Sequence, residues 1–362
     1  GPAGAAAGLA LGGRARVLLI DRVAEPAPRI GESLIPAARR LLSDLGVLKA
    51  FEAEPHPPYL GNRSVWGGDW AETDFLRDPD GAGWHLDRVR FETFLRKAAG
   101  ARGCRIIAPA KLETIAARGA GGWDIAVTDG RDRLEIEAKV VIDATGRAAT
   151  VAKRLGAARK NSDRLTARWI RGQTSGETSR TAGFSTVESE AEGWWYTAPL
   201  ADGTRVLAFH TDTDLMSETE TVSADGLIAR AMRCPAMAAL LEETGFQADA
   251  LGEIWTTAAN TARTDPLAEA DPSTQSGWLA VGDAGLSLDP LSSRGIFNAL
   301  YTGVSGGMTA HRMLAGDAGA VPDHIAGLER IASGYEQHLA LIYAAETRWP
   351  DQPFWQRRSA AA

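Results

Sequence analysis

Cysteine is nearly absent from this chain of 362 residues: only Cys104 and Cys234 occur, far apart. A disulfide framework and a thiolate zinc cluster are thereby excluded, and a reducing cytoplasm is the expected compartment. Basic blocks are missing too. With 39 Lys and Arg against 46 Asp and Glu the net charge is -7, so nothing can neutralise a run of nucleic-acid phosphates, and nucleic acid is not an expected partner. Arg, Asp and Gly break the Ala-rich stretches before any reaches the roughly 18 apolar residues of a membrane-spanning helix. No membrane partner is expected, and the opening residues lack the charged and apolar regions of a secretory signal. No metal-ligand or Ser-His-Asp spacing stands out, so no metal is expected. What is present is ordinary for a folded enzyme, with 44% apolar and 23% charged residues. The length allows two or three domains.

The chain opens Gly1-Pro2-Ala3-Gly4 and runs directly into a helix of small and apolar residues. Val17-Leu18-Leu19-Ile20 follows as a continuous apolar run, the pattern of a fully buried parallel strand, and ends on Asp21-Arg22. This is the second half of a βαβ unit. In such a unit glycines let the backbone approach a pyrophosphate at the helix N-terminus, and a carboxylate at the end of the second strand accepts from ribose hydroxyls. Gly1 and Gly4 match the last two glycines of GxGxxG. The first strand and first glycine do not appear, and the expectation is that the sequence is clipped ahead of Gly1.

Further along, Ser33 and Pro36 read as helix-start signals and Gly46 as a stop. Residues 55–84 shift to Pro, Gly, Trp and Asp, a loop-rich excursion with short strands. Helical spacing returns over 88–101. Strand-like runs at 104–117, 123–128 and 134–144, with turns at Gly121-Gly122 and Asp129-Gly130, predict a β-meander whose last strand is fully buried. Residues 164–211 are β-rich and suggest a separate antiparallel sheet. A helical stretch over 224–245 and a strand over 253–261 precede the apolar run 278–281.

Five motifs then occur in a set order. They are the opening glycines with Asp21; Gly31-Glu32-Ser33-Leu34-Ile35-Pro36; Arg88 with Phe91; Asp143-Ala144-Thr145-Gly146; and Gly282-Asp283 continuing to Asp289-Pro290-Leu291-Ser292-Ser293-Arg294-Gly295-Ile296. This order resembles FAD-dependent monooxygenases and flavin-dependent halogenases over nearly the whole chain. Gly193-Trp194-Trp195-Tyr196-Thr197-Ala198-Pro199-Leu200 and the ending from Arg348 to Trp355 are similar to a tryptophan-halogenase-like subgroup. That subgroup is similar to the monooxygenases of tryptophylquinone cofactor biogenesis.

The resemblance implies an α/β, two-domain chain. A Rossmann-like FAD domain of the glutathione-reductase-2 type would be assembled from 1–50, 85–160 and 270–320, with the β-meander and a missing first strand. An inserted antiparallel-sheet substrate domain would take 51–84 and 161–269, and a helical tail 321–362. It also implies FAD contacts at Gly1, Gly4, Asp21, Arg22, Glu32, Ser33, Arg88, Gly146, Gly282, Asp283, Pro290, Gly295 and Ile296. Asp283 would accept from a ribityl hydroxyl. Ser292, Ser293 and Arg294 would line the flavin edge, where a helix N-terminus favours the anionic reduced ring.

In this superfamily reduced flavin and O2 form a C4a-hydroperoxide with an electrophilic terminal oxygen, and the protein positions an electron-rich ring beside it and excludes water. Halogenases also carry a relay lysine, a neighbouring glutamate and a Trp-x-Trp-x-Ile-Pro segment. Residues 50–96 contain no lysine, Ser292 stands at the glutamate position, and Tyr196 and Ala198 replace the second tryptophan and the isoleucine. The expected activity is therefore aromatic hydroxylation, including that of a tryptophan side chain in a peptide or protein. Halogenation, or a flavin-retaining maturation or binding protein without turnover, is the alternative. No second GxGxxG is present, so NAD(P)H docks transiently or a partner flavin reductase supplies electrons. Among 11 tryptophans, Trp66, Trp194 and Trp195 join Tyr196 and His210 as the expected aromatic substrate pocket.

Overall fold

The computed structural model describes residues 1–176, 181–216, 220–249 and 252–359. Helix α1 (Pro2–Leu11) is almost wholly small and apolar, and it buries Ala3 and Ala5 through Leu9. It lies against α3 (Gly295–Leu314), where a Cβ on Gly303 would fall 2.4 Å from the carbonyl oxygen of Ala3 and one on Gly307 2.7 Å from that of Ala7. Only glycine permits that approach, and it seats the start of α1 against the middle of α3. Helix α2 (Arg88–Ala101) is capped by Asp87, whose carboxylate accepts from the Arg90 amide, and its Phe91 and Leu95 join the same core.

Two small sheets flank α1. Leu18–Ile20 pairs in parallel only with Arg105–Ile107; Val140–Asp143 pairs in parallel with Ser276–Ala280, which pairs in turn with Ala268–Asp271. The expectation of fully buried strands is corrected for both: Leu18–Ile20 is half-buried with Ile20 exposed, and of Val140–Asp143 only Asp143 is buried. Each is an edge strand among the described residues, so one side of it lacks a covering neighbour.

Other expectations are also adjusted. Ser33 does not start a helix. Ser33–Leu34 is a short strand paired with Gly83–His85, and the helix begins at Ala38 and ends ahead of Gly46. The run 104–117 divides at Pro109 into Arg105–Ile107 and the first meander strand, Lys111–Ala117. Cys234-Pro235 splits the stretch 224–245 into Ala224–Ala231 and Pro235–Thr244, because proline has no amide to continue the first helix.

The third unit is an eight-stranded sheet. Its strands, in chain order, are β1 (Gly61–Trp66), β2 (Asp69–Asp74), β3 (Leu165–Gln173), β4 (Phe184–Glu190), β5 (Gly193–Pro199), β6 (Thr204–Asp212), β7 (Gln247–Ala248) and β8 (Trp255–Ala258). They lie in the order β7-β3-β6-β5-β4-β1-β2, with β8 also on β3. All neighbours are antiparallel except β1 and β4. One face is covered by Ala224–Ala231 and Pro235–Thr244, which pack on Ile170, Trp195, Leu207 and Phe209. The other face is shared. At one end α4 (Ala320–Ala344) and α5 (Pro353–Ser359) press Tyr343, Phe354 and Trp355 onto Leu165, Ala167 and Trp194. At the other end Trp169, Ala198, Val206 and Ala208 meet Ile30 from the first unit. The C-terminal segment, expected as a helical tail, is therefore a structural cover of this sheet.

Candidate functional site

The residues singled out by the sequence converge at the start of α1. The Asp21 carboxylate lies 3.3 Å from the Gly1 nitrogen and 2.9 Å from Arg96 Nη2. Burial works against its charge, while the Val23 amide and Arg96 favour it. Arg22 beside it is exposed. Gly282, in the left-handed region at φ 56°, turns against the same helix end; a Cβ there would come within 2.8 Å of Ala3 Cβ. A Cβ on Gly4 would sit 3.2 Å from Ala144 Cβ. Gly146, at φ 67°, turns the chain just after it. Arg88 donates to the carbonyls of Ile30 and Gly31 and, at 2.6 Å, to Glu92, while its buried Nε has no partner among the described residues. Asp21, Arg88 and Gly282-Asp283 thus surround one helix N-terminus, with glycines where any side chain would fill the approach.

The loop after Gly282-Asp283 is held from beneath. Asp289 is buried, caps Leu291 N, accepts from Tyr343 at 2.8 Å, and its own amide donates to Tyr335. Burial raises its pKa to about 6. Pro290–Ser292 forms one short turn, Ser293 takes a left-handed conformation at φ 52°, and Gly295 and Ile296 open α3 without a side-chain cap. Ser292 Oγ is committed to the Asp289 carbonyl, and Arg294 is exposed. The uncapped amides at the start of α3 leave a positive dipole end beside this loop.

Opposite the loop lies a buried polar cluster. Glu32 is 3% exposed; burial raises its pKa to about 7 although Arg88, the Gly31 amide and Arg171 oppose the shift. Tyr196 Oη is 3.5 Å from Glu32 Oε2 and 3.1 Å from Ser33 Oγ, and Ser33 Oγ is 3.0 Å from Ser185 Oγ. Tyr59 donates to Asn62, and burial pushes its phenol up to about 12, with Ser293, Ser33 and Ser185 partly offsetting the effect. A chain of hydroxyls therefore runs from Ser185 through Ser33 and Tyr196 to a carboxyl group that can hold or release a proton near neutral pH.

Strand alternation decides which aromatic residues reach this cluster. On β5, Trp194 and Tyr196 share one face and Trp195 takes the other, inside the core with Leu227 and Met237. Only Tyr196 of the expected pocket meets Glu32. Trp194 stacks on His210 at 3.7 Å and donates to Tyr343, and Trp66 donates to the Ile342 carbonyl and packs edge-on to Trp355. These three residues form the core beneath α4 and α5. Burial pulls the pKa of His210 down to about 3, so the ring is neutral.

The aromatic surface on the Tyr196 side of the sheet comes from residues the sequence reading missed. Trp169 and Trp255 stack at 4.4 Å, with Trp169 Nε1 donating to Thr257, and Ile30, Ala198 and Ala208 pack around them. Their pairing across β3 and β8 aligns Trp169 with Trp255. The available signal was a shared phase of alternation, which becomes visible only once β3 and β8 are known to be neighbours.

The sequence profile described as tryptophan halogenase matches residues 77–362. The chain belongs to that family. Among its relatives is the protein LodB of Marinomonas mediterranea, named as an FAD-dependent oxidoreductase, which is 29% identical over 99% of this chain and 95% of its own length. In fold the chain is similar to the myxobacterial chondrochloren halogenase (TM-score 0.88, 21% identity, 99% of this chain and 84% of that one). It is likewise similar to a peptidyl tryptophan dihydroxylase essential for tryptophylquinone cofactor biogenesis (TM-score 0.75, 24% identity, 99% and 76%). Membership makes this an oxidoreductase of an FAD-dependent family. The glycine-cleared start of α1 and the orphaned Arg88 Nε fit such a dinucleotide. Among the described residues no helix is long and apolar enough to cross a membrane.

Proposed function

We propose that this family member is an FAD-dependent monooxygenase that hydroxylates an electron-rich aromatic ring, with a peptide tryptophan as the substrate class. Gly1, Gly4 and Asp21 would hold the adenosine diphosphate portion of FAD, Arg88 and Asp283 its middle, and the segment from Pro290 to Ile296 the edge of its ring. Bound FAD supplies an electrophilic oxygen from O2. The protein does the rest. The half-buried Trp255, backed by the buried Trp169, would offer an aromatic face to the substrate ring, and the sheet and loop would exclude water. Replacing a ring hydrogen by hydroxyl releases one proton, and the ionised Glu32 carboxylate accepts it with Tyr196 as intermediary.

The observation that carries this reading is the chemistry of the proton-handling groups: a carboxyl and phenols, with no amine. Residues 50–96 contain no lysine, and in the hairpin of β1 and β2 the residues before Trp66 are Ser64 and Val65. The Gly67 amide there donates to buried Glu346, which closes the turn under α4. Similarity to halogenases keeps halogenation as the competing reading. Incubating the FAD-loaded protein with reduced flavin, O2, bromide and a tryptophan-containing peptide tests the two. Mass spectrometry should show oxygenated peptide only; a brominated product refutes the hydroxylase reading.

A further inference from the structure

The cross-strand registers bring a cation onto the aromatic face of the large sheet. Tyr196 on β5 pairs with Ala208 on β6, Ala208 with Trp169 on β3, and Trp169 with Trp255 on β8, so these four side chains form one row on a single face. Two residues along, Ala198 pairs with Val206 and Val206 with Arg171. Because side chains alternate along a strand, Arg171 stands on the face of Trp169, about 7 Å further along β3.

This guanidinium is underused. Its Nη2 lies 3.4 Å from Thr204 Oγ1 and 3.6 Å from Asp202, whose side chain is 57% exposed, so the ion pair is weak. Its Nε is buried, and neither Nε nor Nη1 has a hydrogen-bond partner among the described residues. Arg88, in contrast, is engaged by Glu92 and two carbonyls. Burial raises the pKa of Glu32 while Arg88 and Arg171 oppose the rise, so the charge of Arg171 is felt at the proposed proton acceptor.

A buried guanidinium N–H without an acceptor costs free energy that a ligand oxygen would recover. A carboxylate matches the planar fork of Nε and Nη better than a neutral acceptor does. We propose that Arg171 binds a carboxylate carried by the substrate close to its aromatic ring. The substrate class is then an anionic tryptophan peptide, with the charge on a C-terminal α-carboxylate or on an acidic residue beside the tryptophan. A ring laid on Trp255 can still turn in its own plane; a carboxylate held by Arg171 stops that rotation and fixes which ring carbon is presented for reaction. This inference rests on the reading of the Tyr196 side of the sheet as the substrate site.

The test needs no turnover. Oxidised, FAD-loaded protein is titrated calorimetrically with acetylated Ala-Trp-Glu amide, acetylated Ala-Trp-Gln amide and acetylated Ala-Trp with a free C-terminal carboxylate. At least one of the two anionic peptides should bind about tenfold or more tightly than the Gln peptide, and the tighter of the two identifies where the carboxylate lies. Arg171→Gln should erase that preference while the affinity for the Gln peptide and the visible flavin absorbance stay unchanged. Arg171→Lys, which keeps the charge but not the fork, should retain part of it. Equal affinity of the parent for all three peptides, a preference that survives Arg171→Gln, or loss of flavin from a variant whose circular dichroism is that of the parent would each overturn the proposal. If no tryptophan peptide binds, the reading of this face as a substrate site fails instead, so the two failures are distinct.

Discussion

One sheet face carries two aromatic-rich ends, and they differ in what lies over them. Under α4 and α5, Trp66, Trp194, His210, Tyr343, Phe354 and Trp355 are packed ring against ring, and the polar atoms that are paired meet partners in the covering helices or the sheet. At the other end Trp169, Tyr196, Ala198 and Ala208 face Ile30, Glu32 and Ser33, and the contact holds a carboxyl and a chain of hydroxyls. The residue types are alike. The covering element makes one end an aromatic core and leaves at the other a buried carboxyl, which keeps its proton to higher pH because it lacks a full ion pair.

The largest expected effect tests the core end. Trp355→Ala removes a side chain that is 1% exposed and packs on Trp66, Tyr343, Trp349 and Phe354. Loss of about 3–5 kcal/mol of stability is expected from chemical denaturation. Stability within 1 kcal/mol of the parent would mean that α5 is not a structural cover.

Glu32→Gln tests the other end. Product formation should fall by about 10² or more while flavin binding persists. In the parent the rate should rise with pH through about 7, the value to which burial raises Glu32, since the ionised form is the base, and the variant should lose that rise. The stability change has the opposite sign. Glu32 has a raised folded-state pKa, so its contribution is present below the ordinary 4.5 and is lost as pH rises towards and through about 7. Glu32→Gln should remove that loss, and melting temperatures from pH 4 to 9 will show whether it does.

Tyr196→Phe removes the phenol while keeping the ring. A decrease of about tenfold in rate is expected, with stability nearly unchanged, since Ser33 retains Ser185 as a partner. A rate equal to the parent's would remove Tyr196 from the proton path. The smallest effect is expected outside both regions. Trp70, on the exposed outer strand β2, should tolerate alanine within about 0.5 kcal/mol. A larger loss would show that the aromatic edge of the sheet matters beyond its two buried ends.

The residues gathered around the start of α1 were the more legible part of the chain. Gly1, Gly4, Asp21, Arg88 and Gly282-Asp283 are spaced by backbone requirements for a close approach, which leave marks in the order of residue types whatever surrounds them. Strand ends were less legible: Ser33 reads locally as a helix start but pairs with His85, because tertiary pairing overrode a weak local preference. The packing of the aromatic residues on the large sheet was largely illegible. Trp194 and Trp195 are adjacent in sequence yet lie in separate cores, and Trp169 and Trp255 are distant yet stacked.

The order of the glycines and carboxylates, and the absence of an amine between residues 50 and 96, belong to the amino-acid sequence alone, since they are matters of identity and spacing. Which tryptophans are buried as core, which aromatic residue meets Glu32, and how firmly that carboxyl holds its proton were decided by the fold. Burial and pairing depend on neighbours brought from elsewhere in the chain, and a linear pattern records only which face a side chain takes, not what waits opposite it.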